Sequence, residues 1–265
     1  MSVFERRLAR EGRFERSRFL RFFAAGQAVG WLRPAFAAGL SRWPEVFQIS
    51  TGEVHLAQRL ATLEARSEAL GNVVRALADN GIVTGWRDES YEIAAPRGPA
   101  LFRIERAAVR PFGLHSLAVH VNGIVAGDDK KLWIARRSPA KPTDPGMLDN
   151  LVGGGVGAGL APAEVLVKEA WEEAGIEAAL ARQATPGGTI RILREVPEGV
   201  QSETILAHDL SLPPDFRPQN QDGEVAEFRL APARDVLALV RDTEEFTLDA
   251  ALVTLDHFAR AGDQS

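Results

Sequence analysis

Residues 153–160 read GGGVGAGL and run straight into APAEVLVKEAWEEAGI, so five glycines in seven positions stand directly ahead of a helix-like run. Backbone without side chains can approach a neighbour closely, and the start of a helix favours anions, so such a junction usually points to a phosphate. Three kinds of protein place glycines this way: a dinucleotide-binding fold, a nucleotide-triphosphate loop and a metal-dependent pyrophosphatase. Each uses the glycines for different chemistry.

Gly153, Gly155 and Ala158 satisfy G-x-G-x-x-G/A, but that fingerprint needs a buried strand before it and an acid closing a second strand about 20 residues on. Here PGMLDN precedes the glycines, and the acids at that distance, Glu172 and Glu173, lie inside the helix itself. The triphosphate loop requires Lys-Ser/Thr after its last glycine, where this chain has Leu160 and Ala161. The helix over 162–174 carries more information. At about 100° per residue, Glu169, Glu172 and Glu173 share one face, with Val165 and Lys168 beside them, while Ala163, Val167, Ala170, Trp171 and Ala174 take the opposite, core-facing side. Like charges at these spacings cost an exposed helix about 0.2–0.5 kcal/mol per pair, and a divalent cation reverses the sign. Two readings stay open on the helix alone: a solvated face partly neutralised by Lys168, or an oxygen-ligand site suited to Mg²⁺ or Mn²⁺.

Composition narrows the classes. A net charge of −5 over 265 residues argues against a broad nucleic-acid footprint, so an anionic ligand must be met by a local site. Cysteine is absent, which removes disulfides, thiolate nucleophiles and cysteine-based zinc sites together. No apolar run approaches the roughly 18 residues of a membrane span, and no apolar signal-peptide core stands at the N-terminus. The first 21 residues hold seven Arg, but Glu5, Glu11 and Glu15 interrupt a transit-peptide pattern. The expectation is a soluble cytoplasmic protein whose partner is a small molecule, with neither nucleic acid nor membrane.

Helical patterning over 3–24 and 60–80 brackets short β-like stretches at 46–49 and 54–56, and Gly81 stands where a left-handed helix cap is favoured. A Pro/Gly break at 96–99 marks the junction of two domains, 1–105 and 106–265. Strand-like runs at 117–125 and 131–135 follow, then a long loop over 136–160 and the helix at 162–174. Further strands are expected at 188–195 and 204–210, and helices at 233–240 and 248–261.

Gly154 followed by KEAWEEAGI at 168–176 resembles the Nudix box, G-x5-E-x7-R-E-U-x-E-E-x-G-U with U apolar. Lys168 replaces the usual Arg, keeping the charge without the bidentate fork, and Leu160 replaces the first Glu. The stretches LWIARRSPAKPTDPGMLDNLVGGG, DGEVAEFRL, GWRDESYEI and IERAAVRPFG extend the resemblance to Nudix proteins related to thiamine pyrophosphokinase, in which an N-terminal domain of uncharacterised function precedes the Nudix domain.

The resemblance implies an α+β chain: a small N-terminal α/β domain and a Nudix-type α/β/α sandwich with a mixed sheet. It implies a divalent-metal-dependent pyrophosphohydrolase that cleaves thiamine diphosphate, or its oxo and oxy forms, to the monophosphate. The alternatives are another nucleoside or cofactor diphosphate as substrate, or a non-catalytic ligand-binding module motivated by Leu160 and Lys168. By position the metal ligands fall on Glu169 and Glu173, with Glu172 close by and the Gly153 carbonyl as a further ligand. Glu169 and Glu173 thus serve catalysis, with Glu224 the first choice of general base and Glu227 behind it. Arg136, Arg137 and Lys141 are expected phosphate or substrate contacts, weighed equally against surface charges, with Gly154 and Gly155 lining the same loop. Asp149 and Asn150 would orient that loop. His120 reads as a satisfied core or rim histidine, and Trp133 and Trp171 as core. Family analogy implies a homodimer.

Overall fold

The computed structural model describes residues 1–95, 98–127 and 130–262; of the expected interdomain break, Pro96 and Arg97 lie outside the described residues. Helix α1 (Val3–Glu11) opens on a capping box. The Glu5 N–H donates to Ser2 Oγ at 3.1 Å, and the Ser2 N–H donates to Glu5 Oε2 at 2.7 Å. It stops at Gly12, so the helix expected over 3–24 is much shorter. Its last residues instead form β1 (Leu20–Ala24), which makes a hairpin with β2 (Gln27–Leu32), turning at Ala25 and Gly26 with φ of 48° and 74°. Two successive positive φ values are what a tight hairpin needs, and that local turn chemistry outweighs the helical patterning.

The chain continues through α2 (Pro34–Gly39), β3 (Phe47–Ser50) and β4 (Glu53–Leu56). The four strands form one sheet in the order β2-β1-β4-β3, with β1 and β4 parallel. Helix α3 (Leu63–Asp79) starts where the Thr62 side chain accepts from the Ala65 N–H, and buries Leu70, Val73, Val74 and Leu77. A two-stranded ribbon of β5 (Ser90–Ala94) and β6 (Ala100–Glu105) follows. Phe22, Phe102 and Phe112 are fully buried, and this first core runs on past the expected boundary at 105/106, because Ala108, Val109, Phe112 and Leu114 pack into it, so residues 106–114 are counted with the first unit.

The second unit is built on a mixed sheet. Its elements are β7 (His115–Val125), β8 (Lys131–Arg137), β9 (Leu148–Asp149), β10 (Val152–Gly155), α4 (Pro162–Ala174), α5 (Ala178–Ala181), β11 (Thr185–Val196), β12 (Gly199–Leu212), β13 (Val225–Pro232), α6 (Ala233–Asp242) and α7 (Leu248–Ala261). The main order is β11-β12-β7-β8-β13, with β10 on β7, β9 on β8, and β7 and β12 parallel. Side chains alternate across the pleat. Val119, Val121 and Trp133 pack with Val165, Leu166 and Ala170 of α4, while Leu132 and Ile134 pack with Val236 of α6 and Leu248 of α7. The sheet therefore lies between two helical layers. Helix α1 joins this second core, since Phe4 packs in its α6/α7 cluster and Arg7 Nη1 donates to the Phe246 carbonyl at 2.6 Å.

Helix α4 spans the expected residues but is rotated from the expected orientation. Trp171 is 47% exposed, while Val165, expected beside the glutamates, is 1% exposed, and Glu173 is buried with it. The side carrying Glu169 and Glu173 packs on β10, because a strand of glycines leaves room there for carboxylates.

Candidate active site

Each glycine of β10 is spoken for by a side chain from another element. A Cβ at Gly153 would lie 2.9 Å from the His120 ring of β7, one at Gly154 would collide with the Glu169 side chain of α4, and one at Gly155 would collide with the Tyr91 hydroxyl of β5. The strand is thus a slot into which a ring, a carboxylate and a phenol are pressed.

Beside the slot, Glu173 accepts from the Gly153 N–H at 2.7 Å through Oε2 and lies 3.7 Å from Lys141 Nζ through Oε1. Burial pushes its pKa up to about 8, and this outweighs the Lys141 charge and the Gly153 N–H, which pull it down. Burial raises Glu169 as well, against the opposing charge of Lys168. Two desolvated carboxylates on adjacent turns, each penalised for ionising, form an arrangement that a bound cation relieves. The N–H and C=O of one strand residue leave on the same side, so the Gly153 carbonyl faces the same region as the N–H bound to Glu173.

The other expected residues divide. Lys141 pairs with both Glu173 and Glu224, and Glu224 also lies 3.6 Å from Arg87 Nη1. Burial pushes Glu224 up, but Lys141, Arg87 and Arg106 outweigh it and hold the carboxylate ionised below its ordinary range. Glu172 lies outside the slot, 36% exposed: Lys168, one turn earlier, donates to it at 2.6 Å and to Glu169 at 3.2 Å, and so bridges the two on the outer side of the helix. Arg136 donates to the Gly146 carbonyl and pairs with Glu227 and Glu245. Arg137 spends its donors on the Thr143 and Asp144 carbonyls and on Asp149, at 2.8–3.2 Å. Asn150 bridges His120, Asn122 and Thr254, so His120 and the Asp149–Asn150 pair serve to fix β10 on the sheet.

A cavity of about 220 Å³ adjoins the glycine strand, between the two units. The second unit lines it with Gly153 to Gly155, Lys141, Asp144, Glu203 and Asp249; the first contributes Arg87, Tyr91, Arg106 and Arg110. Sequence reasoning assigned no role to these four, although they lie in GWRDESYEI and IERAAVRPFG, the two N-terminal stretches that carry the resemblance.

Among the described residues no group of three or more carboxylate or imidazole side chains converges on one point. Two carboxylates and a carbonyl still suit a hard cation that keeps most of its coordination for water and substrate phosphates. A family model described as NUDIX domain matches residues 116–250, half of the chain, and one described as Domain of unknown function (DUF4743) matches residues 3–116. The chain belongs to the Nudix hydrolase family. It is 41% identical over 248 residues to Nudix hydrolase 24, chloroplastic, of Arabidopsis thaliana, a match covering 92% of this chain and 68% of that one. It is 37% identical over 255 residues to Nudix hydrolase 20, chloroplastic, of the same plant, with the same shares covered. Among solved structures it is similar to DR0079 from Deinococcus radiodurans, at 22% identity and a TM-score of 0.49, over 64% of this chain and 99% of that one.

Nudix hydrolases act on phosphorus anhydrides and generally use divalent metal ions. In this Nudix hydrolase the two departures from the box sit in different surroundings. Leu160 is 44% exposed, and Lys168 keeps its charge between Glu169 and Glu172, at 3.2 and 2.6 Å.

Proposed function

We propose that this Nudix hydrolase cleaves the diphosphate of thiamine diphosphate, or of its oxo and oxy forms, to the monophosphate with Mg²⁺ or Mn²⁺. The observation that carries the reading is the pair Glu169 and Glu173, desolvated against the glycine strand whose residues Gly153 to Gly155 line the interdomain cavity. Those two carboxylates and the Gly153 carbonyl would hold the ion, which supplies charge neutralisation at the phosphates and an acidified water. Lys141, between Glu173 and Glu224, orients both carboxylates and offers a positive charge to the substrate. Glu224, kept ionised by its cationic neighbours, accepts the proton of the attacking water. Gly154 and Gly155 line the path of the diphosphate. Thiamine as the substituent is supported by the resemblance of the N-terminal stretches and by Glu203, Asp249 and Asp144 in the cavity wall, which suit a cationic organic group.

The test is phosphate release from thiamine diphosphate, its oxo and oxy forms, nucleoside diphosphate sugars and dinucleotides, with Mg²⁺ or Mn²⁺, comparing wild type with Glu173→Gln. Metal-dependent turnover of the thiamine compounds, lost in the variant, is expected. Turnover confined to the nucleotides would sink the thiamine assignment, and no turnover at all would sink the enzymatic reading.

A further inference from the structure

The cations expected to meet the substrate are largely committed elsewhere. Arg137 donates to two carbonyls and a carboxylate, Arg136 to the Gly146 carbonyl beside two glutamates, and Lys141 sits between Glu173 and Glu224. A diphosphate carries several negative charges into a site already holding Glu169, Glu173 and Glu224, and one divalent ion with Lys141 does not balance them. The balancing charge comes from the other unit. Arg106 stands at the cavity wall directly after β6; its side chain is 41% exposed, its Nη1 donates to Glu89 at 2.7 Å, and its guanidinium lies 5.7 Å from the centre of the Tyr91 ring. Tyr91 in turn is pressed onto Gly155 of the glycine strand, which fixes the position of Arg106 relative to the box. The charge of Arg106 is felt at both Glu169 and Glu224. Arg87, 3.6 Å from Glu224, completes the cationic rim.

We propose that the N-terminal unit is a working part of the substrate site: Arg106, placed by Tyr91, binds a phosphate of the diphosphate substrate across the interdomain cavity, with Arg87 beside it. Arginine suits this role because its fork gives paired, charge-assisted hydrogen bonds to phosphate oxygens. The proposal rests on the diphosphate-hydrolase reading and goes beyond it, since it gives the N-terminal unit a task on the same molecule.

The test uses the full chain. Calorimetric binding of methylenediphosphonate, a diphosphate that cannot be hydrolysed at its bridge, is measured with Mn²⁺ present for wild type, Arg106→Gln, Arg106→Lys and Arg42→Gln, an exposed arginine outside the cavity lining. Mn²⁺ binding alone is measured for each. Loss of one charge-assisted pair should weaken diphosphonate binding about 10- to 100-fold in Arg106→Gln. Arg106→Lys should recover part of that, with Mn²⁺ affinity and melting temperature held. For whichever diphosphate is turned over, KM should rise in Arg106→Gln by a similar factor with kcat little changed. Unchanged diphosphonate affinity in a folded Arg106→Gln, or an equal loss in Arg42→Gln, overturns the proposal. Because the diphosphonate reads binding without turnover, an inactive wild type would sink the hydrolase reading and still leave Arg106 judged.

Discussion

Glu173 is bound to the Gly153 N–H and lies near Lys141, yet at pH 7 its burial works against the fold when no metal is present. Its pKa, ordinarily 4.5, stands at about 8 in the folded chain. The unfolded chain ionises this carboxyl at pH 7 and the folded chain largely does not, a difference of roughly 3 kcal/mol against a side chain that never ionises. Glu173→Gln removes that penalty and keeps an oxygen to accept the Gly153 N–H, while burying an amide NH₂ in place of the carboxyl; a net gain of about 1–3 kcal/mol remains. For a chain of this size that is a rise of roughly 2–10 °C in melting temperature. The sign follows from the direction of the shift. A carboxyl whose folded pKa is raised contributes stability below its unfolded pKa and loses it as pH climbs towards the folded value. Wild type in chelator should therefore lose stability between about pH 4.5 and 8, and the variant should lack that slope. Mn²⁺ should reverse the ranking, raising the wild-type melting temperature and leaving Glu173→Gln unmoved. Calorimetric melts in chelator and in Mn²⁺, from pH 5 to 8, measure all of this. If Glu173→Gln melts below wild type at pH 8 in chelator, or shows the same pH slope, the carboxyl is not the desolvated group described here.

Three further outcomes follow from the same contacts. Gly155→Ala drives a Cβ into the Tyr91 hydroxyl, an overpacking worth about 1–3 kcal/mol; thermal melts should show the loss, and Tyr91→Leu on the same background should restore part of it. Glu172, held by Lys168, should tolerate Gln with Mn²⁺ affinity within about threefold, while Glu169→Gln should lose more than about 100-fold by calorimetry. Asp209 is pulled down to about 2, against its burial, by His257, Asn122 and Arg260. Its stabilisation, about 2 kcal/mol, is present above the unfolded carboxyl range and is lost as pH falls from about 4 to 2, so acid titration of Asp209→Asn should show a correspondingly shallower decline.

The second unit was more legible than the first because its signals are local. Residues 162–174 and 248–261 form helices at the expected positions, and the runs at 117–125 and 131–135 are strands, since each carries its own periodicity and its own breaks. The failure at 3–24 has an equally local cause, a two-residue turn at Ala25 and Gly26 that pairs Leu20–Ala24 with Gln27–Leu32. The rotation of α4 was not local. Helical spacing places Trp171 and Ala170 together, but only the width of the slot beneath decides which side turns inward, and that width is set by glycines on another element. Glu172 shows the same limit: spacing groups it with Glu169 and Glu173, yet it stays outside the slot, bridged to Glu169 through Lys168.

The glycines themselves answer to packing before they answer to any ligand. A phosphate loop needs bare backbone so that a ligand can come near; here the bare backbone at Gly153, Gly154 and Gly155 receives His120, Glu169 and Tyr91. Three side chains from β7, α4 and β5, which lie far apart in sequence, are held in register by one short strand. Tyr91 belongs to the unit matched by the domain of unknown function, and α1 of that unit is seated through Phe4 on the α6/α7 core. Cutting the chain near residue 116 would strip the slot of one of its three occupants and uncover an apolar seat, so the boundary between the two family matches is not a boundary of the site.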